Sequence, residues 1–180
     1  MSMFDGLYRG LMMMIGRGRI GPINDGGTVQ TLQIDFGNGE VRDDIPRLVE
    51  YGLASSPPTS SDAVAVFFGG DRSAGVVIAT NSQAYRMKGL ASGEVAIYDD
   101  KGQSVYLTAA GIVINGGGNP VTVTNAPRVR LETALLECTG DILDNCDTQS
   151  TTQAGMRSAY NPHTHPDPQG GTTGGPSQTV

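Results

Sequence analysis

The strongest constraint in this 180-residue chain is a series of short β-type segments in its second half, at residues 94–98, 104–108, 112–115, 121–124, 129–133 and 136–139. Tight breaks separate them: Asp99-Asp100-Lys101-Gly102, Ala110-Gly111, Gly116-Gly117-Gly118-Asn119-Pro120 and Asn125-Ala126-Pro127. Segment starts recur roughly every nine residues, a period that marks stacked β-architectures. Apolar residues alternate within segments, as in Val95 and Ile97, Val105 and Leu107, Ile112 and Ile114, Val121 and Val123, Val129 and Leu131. Because strand side chains point to alternate faces, each segment offers two apolar groups to one face. One such ribbon has nothing to close against, whereas three chains wound about an axis would bury it. Two single-chain solutions compete. A β-sandwich usually has longer strands and more aromatics than Tyr98 and Tyr106, and a parallel β-helix needs about twenty residues per coil.

The first half reads differently. Met3, Phe4, Leu7, Leu11 and Met14 fall at helical spacing, which predicts a short amphipathic helix over 3–15 that packs on the strands after it. Strand patterns at 28–36, 40–45, 63–68 and 75–80 surround a Gly37-Asn38-Gly39 hairpin turn and a Ser/Pro-rich loop at 51–62. Four or five short strands and one helix predict a small closed barrel of OB type. The aromatic and basic face that would make it a nucleic-acid binder is missing.

Composition narrows the function classes. A net charge of −6 argues against nucleic-acid partners and against docking on anionic lipid by charge. Hydrophobic residues make up 38%, with 26 Gly and no Trp, so a monomer would have a thin core and oligomerisation is expected. Cys138 and Cys146 form no disulfide framework and read as reduced thiols. The longest apolar run near the start, Leu11-Met12-Met13-Met14-Ile15, is too short for a membrane span, and Gly16-Arg17-Gly18-Arg19 is not a signal-cleavage site.

The only two histidines, His163 and His165, stand two apart in Asn161-Pro162-His163-Thr164-His165-Pro166. On an extended backbone stiffened by proline they would share one side. A His-x-His pair could serve a metal-dependent enzyme, but that needs another strong ligand and an open coordination position, and Asp167 is a lone carboxylate. Threefold symmetry supplies the missing ligands instead. Two imidazoles from each of three chains give six nitrogens about one axis, an octahedral set suited to Fe(II) or Ni(II) and closed to substrate. Such a site would be structural, and the chain is read as no enzyme.

The chain resembles the central spike proteins of contractile phage tails, the Mu-type baseplate spike family. The likeness runs through Leu7-Tyr8-Arg9, Gly16-Arg17-Gly18 and Phe67-Phe68-Gly69-Gly70-Asp71-Arg72 in the first half. It continues through Gly93-Glu94-Val95-Ala96-Ile97-Tyr98-Asp99-Asp100, Gly102-Gln103-Ser104-Val105-Tyr106-Leu107, Gly140-Asp141-Ile142 and Gly155-Met156-Arg157 to Tyr160-Asn161-Pro162-His163-Thr164-His165-Pro166. The resemblance implies an all-β chain: an OB-fold-like barrel, then an intertwined homotrimeric β-helix spike tapering to a metal-bound apex. On that basis residues 1–88 dock on a baseplate hub protein, 89–166 form the spike, and 167–180 fold back along it or are disordered. It further implies one iron per trimer held by His163 and His165 of all three chains, with calcium and chloride in the spike interior. Asp144 and Asp147 are the nearest carboxylates that could ring an axis for calcium. The implied protein is assembled in the host cytoplasm, sits at the baseplate tip of the virion, and pierces the host outer membrane without binding nucleic acid.

Overall fold

The computed structural model describes residues 3–180 and divides into two units, one reaching to Thr122 and the other spanning Val123–Val180. The first opens with helix α1 (Met3–Met12), followed by β1 (Ile15–Asn24), β2 (Thr31–Asp35), β3 (Val41–Pro46), β4 (Asp62–Phe67) and β5 (Gly75–Asn81). These strands form one antiparallel sheet in the order β3-β2-β1-β4-β5. Gly37, Asn38 and Gly39 all take positive φ, the hairpin geometry their sequence predicts.

Strand β1 is the strand that the sequence conceals, because its Gly-Arg-Gly-Arg run and Pro22 lack β-propensity. Its glycines answer to packing instead. A Cβ at Gly18 would stand 2.4 Å from the Asp35 carbonyl oxygen and 2.6 Å from Ile34 Cγ2, and one at Gly16 would stand 2.7 Å from Phe36 Cε1. The central strand of this sheet is thus pressed against β2 too closely for side chains.

The core is small: Ile20, Leu32, Ile34, Ile45, Ala63, Ala65, Phe67 and Val77, with Ile23 and Phe36 packed against it. Pairings such as Ile20 with Ile34 and Ala65 with Val77 put these residues on one sheet face. The expected closed OB barrel is corrected here. The sheet is open; its edges meet at a parallel bridge between Arg47 and Val77, where the Leu48 N–H donates to the Val77 carbonyl at 3.0 Å and Arg47 Nη2 donates to Thr80 Oγ1 at 3.2 Å. Bulges in β2–β3 and β4–β5 curl the edges toward one another, but no ladder joins them.

The same unit carries a second sheet, a meander of β6 (Val95–Tyr98), β7 (Ser104–Thr108) and β8 (Gly111–Asn115). Its turns explain the second correction. Asp99 Oδ1 accepts from the Lys101 and Gln103 N–H groups, and Thr108 Oγ1 accepts from those of Ala110 and Gly111. With Gly102 and Gly111 at positive φ, these turns fold consecutive segments back as hairpins. The expected intertwined β-helix is replaced by an open antiparallel sheet. The segments at 121–124, 129–133 and 136–139 form no strands at all.

In the second unit, α2 (Gln153–Tyr160) is capped by Thr152, whose hydroxyl accepts from the Gly155 N–H. Asp141 Oδ1 accepts from the Ile142 and Ala154 N–H groups at the same end. Past α2 the chain turns back. His165 and Thr173 exchange hydrogen bonds, the Asp167 N–H donates to the Gly171 carbonyl, and Pro166 bridges Thr172. Among the described residues no helix is long and apolar enough to cross a membrane.

Candidate functional site

Register places Val95 opposite Leu107, Ile97 opposite Val105, Val105 opposite Ile114 and Leu107 opposite Ile112. Directly paired residues share a face, so six aliphatic side chains form a block two deep and three strands wide. None of them is buried. Ile97, Ile112 and Ile114 retain 63, 69 and 63% of their surface. The other face carries Tyr106, whose hydroxyl bonds Glu94. That contact is the main reason the Glu94 carboxyl titrates below its usual range and the Tyr106 phenol above its own. In the second unit Val123, Val129, Leu131, Leu135 and Leu136 are likewise exposed, at 60–68%. An exposed apolar area on this scale marks an interaction surface.

The five-stranded sheet holds two charge constellations that its sequence does not announce. Asp62 Oδ1 receives both Arg17 Nη2 and Arg19 Nη1 at 3.2 Å, while Gln83 Nε2 donates to Oδ2 at 2.5 Å. The Gln83 hydrogen bond is the largest cause of the lowered Asp62 pKa, followed among the lowering contacts by Arg17 and Arg19. A cavity of about 320 Å³ opens beside this group, lined also by Asp35 and Phe36, and both arginines on its wall are engaged by Asp62. In the second constellation Arg72 lies over the rings of Phe36 and Phe67, which meet edge to face, and binds Glu40. Both constellations depend on residues far apart in sequence, so spacing offered no signal for either.

The structure puts His163 and His165 beside each other, with ring centroids 5.1 Å apart and planes at 90°. Their environment does not converge on a metal. His163 Nδ1 lies 2.5 Å from the Tyr160 carbonyl oxygen, which makes that nitrogen a donor and leaves Nε2 as the ring's acceptor. Tyr160 also packs on His163 at 4.9 Å between ring centroids. Asp144 and Asp147 are exposed and flank a turn at Asn145, which has φ of 46° and accepts from the Thr148 and Gln149 N–H groups.

Among the described residues no three His, Cys, Asp or Glu side chains group as a metal site would require. This corrects the expected iron at His163 and His165 and the expected calcium at Asp144 and Asp147. The chloride expected in a spike interior goes with the β-helix that would have enclosed it. A metal-dependent enzyme built on the histidine pair loses its centre for the same reason.

A curled sheet domain followed by a β-meander with an uncovered apolar face has the build of a structural assembly component. The family model described as Bacteriophage Mu Gp45, N-terminal, matches residues 17–84, which run from β1 through β5. The chain is 32% identical over 105 residues to the baseplate puncturing device gp45 of Escherichia phage Mu, covering 58% of this chain and 53% of that protein. It is 28% identical over 145 residues to the Mu-like prophage FluMu protein gp45 of Haemophilus influenzae, covering 81% of this chain and 74% of that one. By these matches the chain is similar to the Mu-type phage baseplate gp45 proteins. The match to the phage Mu protein spans about half of that relative's length.

Proposed function

We propose that this chain is a structural, non-enzymatic component of a contractile-tail phage baseplate, working at the tail tip as part of a puncturing device. The observation that carries this reading is its similarity to the phage Mu protein named as a baseplate puncturing device. In this reading residues 1–88 dock on the baseplate hub, residues 89–166 form the part driven against the host outer membrane, and 167–180 fold back along that part. The chain works as a homotrimer. Support comes from the uncovered aliphatic block of β6–β8 and from Val123, Val129 and Leu131, which one copy leaves in water. Burying a large aliphatic side chain is worth about 1.5–3 kcal/mol, so copies that cover these residues gain far more than a separate chain keeps. The acidic balance of −6 per chain keeps such an assembly soluble.

Multi-angle light scattering of the purified chain tests the copy number, with three copies expected and a single copy overturning the trimer. Complementation tests the role. A phage lacking its puncturing-device gene, supplied with this chain, is expected to regain tails with complete tips. Complete tips assembled without the chain would overturn the assignment.

A further inference from the structure

The chain carries the Asn-Gly pairs Asn38-Gly39 and Asn115-Gly116, and the structure holds them differently. Asn38 and Gly39 are the central residues of the β2–β3 turn, with φ of 54° and 81°, closed where the Glu40 N–H donates to the Gly37 carbonyl at 3.0 Å. Both are exposed, and a Cβ at Gly39 would meet nothing within 4 Å. Among the described residues no group bonds the Asn38 side-chain amide or the Gly39 N–H. The second pair is tied down. Asn115 ends β8 opposite Ser104, and its Oδ1 accepts from the Gly117 N–H at 2.9 Å. A Cβ at Gly116 would stand 2.4 Å from the Asn119 carbonyl oxygen, and the Gly116 carbonyl accepts from the Asn119 N–H at 2.9 Å.

The chemistry open to the first pair is intramolecular. A backbone amide nitrogen that follows asparagine can attack the side-chain carbonyl carbon, and a glycine there, lacking Cβ, leaves the approach unobstructed. A C–N bond forms, the backbone amide proton is lost, and the side-chain nitrogen leaves as ammonia, giving a five-membered succinimide. Water then opens either ring carbonyl, leaving aspartate or isoaspartate. We infer that Asn38 is a self-modification site of this chain, converting to aspartyl and isoaspartyl forms well ahead of Asn115. The inference stands apart from any role at the tail tip. It puts a carboxylate close to Glu40 in the turn, and isoaspartate adds a methylene to the backbone of the turn that sets Asp35 opposite Val41.

The test incubates the full chain in mildly alkaline buffer and follows it by mass-spectrometric peptide mapping and by methylation with an isoaspartyl methyltransferase. Asn38 is expected to convert about tenfold faster than Asn115, whose reaction must first break a hydrogen bond worth roughly 1.4 kcal/mol. In strong denaturant, where neither pair keeps its structure, that excess should narrow to a small remainder. Gly39→Ala, which puts a methyl beside the attacking nitrogen, should slow Asn38 in both conditions and leave Asn115 unchanged. Because the denatured arm needs no folded protein, a variant that fails to fold still reports on the attack. Native rates that match, or Asn115 leading, overturn the inference. So does an excess that persists undiminished in denaturant, since it would come from sequence neighbours and not from the fold. Conversion of Asn38 indifferent to Gly39→Ala in denaturant overturns the succinimide route.

Discussion

The Arg72 guanidinium donates from Nε to Glu40 across 2.8 Å, tying the β2–β3 hairpin to the β4–β5 turn. The same guanidinium lies 3.9 Å above the Phe67 ring and 4.5 Å from that of Phe36. One side chain thus combines a charge-assisted bond, two cation–π contacts and cover for the end of a small core. The Arg72 side chain is only 10% exposed, so removing it opens that end to water.

Arg72→Ala is accordingly expected to destabilise the protein by about 2–4 kcal/mol. Arg72→Lys should recover less than half of that loss, because an ammonium lacks the flat face that a guanidinium lays on an aromatic ring. Thermal or denaturant unfolding of both variants checks this. Full recovery by lysine would reduce the role of Arg72 to charge alone.

Glu40 adds a pH dependence of definite sign. Its hydrogen bond to Arg72, seconded by Arg42, holds its carboxyl below the ordinary 4.5. A carboxyl depressed in the folded state contributes stability that is fully present above the unfolded value and lost as pH falls through the folded value. Unfolding midpoints should therefore decline as pH drops from about 5 toward 3, and Glu40→Gln should flatten part of that decline. Asp62, depressed chiefly by Gln83, adds to the same acid limb, so Asp62→Asn should flatten a further part. An unchanged acid limb in the double variant would refute the assignment.

Gly18→Ala is expected to cost about 2 kcal/mol or more, because its methyl would meet the Asp35 carbonyl at 2.4 Å and backbone cannot yield as a flexible side chain can. Gly6→Ala, whose added Cβ meets nothing within 4 Å, is the control and should be neutral or stabilising. Chemical denaturation of the two variants separates packing from glycine content.

At the other end of the chain, the Asn161 side-chain amide donates to the Val180 carbonyl at 3.2 Å and accepts from the Val180 N–H at 3.0 Å. This clasp closes the stretch that carries His163 and His165. Asn161→Ala should speed amide exchange at Thr173 and Val180 about tenfold, the effect of losing roughly 1.4 kcal/mol of local protection. Amides in β1–β5 should not change. Uniform acceleration would mean that the clasp supports the whole fold.

How much of this was legible in the sequence depended on whether the signal was local. The Gly37-Asn38-Gly39 turn and the strands around it follow from turn chemistry and alternation within a few residues. Strand β1 did not, since its glycines are dictated by Ile34, Asp35 and Phe36 of another strand. Spacing put His163 near His165, and their ring centroids lie 5.1 Å apart, but the planes stand at 90° and not parallel. It could not see that no third His, Cys, Asp or Glu side chain joins them among the described residues. Alternation marked six apolar segments alike, but side-chain periodicity does not record pairing. Asp99 and Thr108 decide it, turning the first three into hairpins.

The aliphatic block of β6–β8 yields the prediction with the largest expected effect. Ile97 and Ile114 both face Val105 across the ladder and keep 63% of their surface, so aspartate at both positions meets no steric obstacle within one copy. If the block is covered only by other copies, Ile97→Asp with Ile114→Asp should leave each copy's hairpins folded and shift the light-scattering mass toward one copy. The shift is expected because two buried carboxylates would each cost several kcal/mol at such an interface. Ala96→Asp, on the opposite face, should leave the mass unchanged. Were Ala96→Asp to dissociate the protein while the isoleucine pair did not, the copies would meet through the face that carries Tyr106, and the aliphatic block would need another occupant.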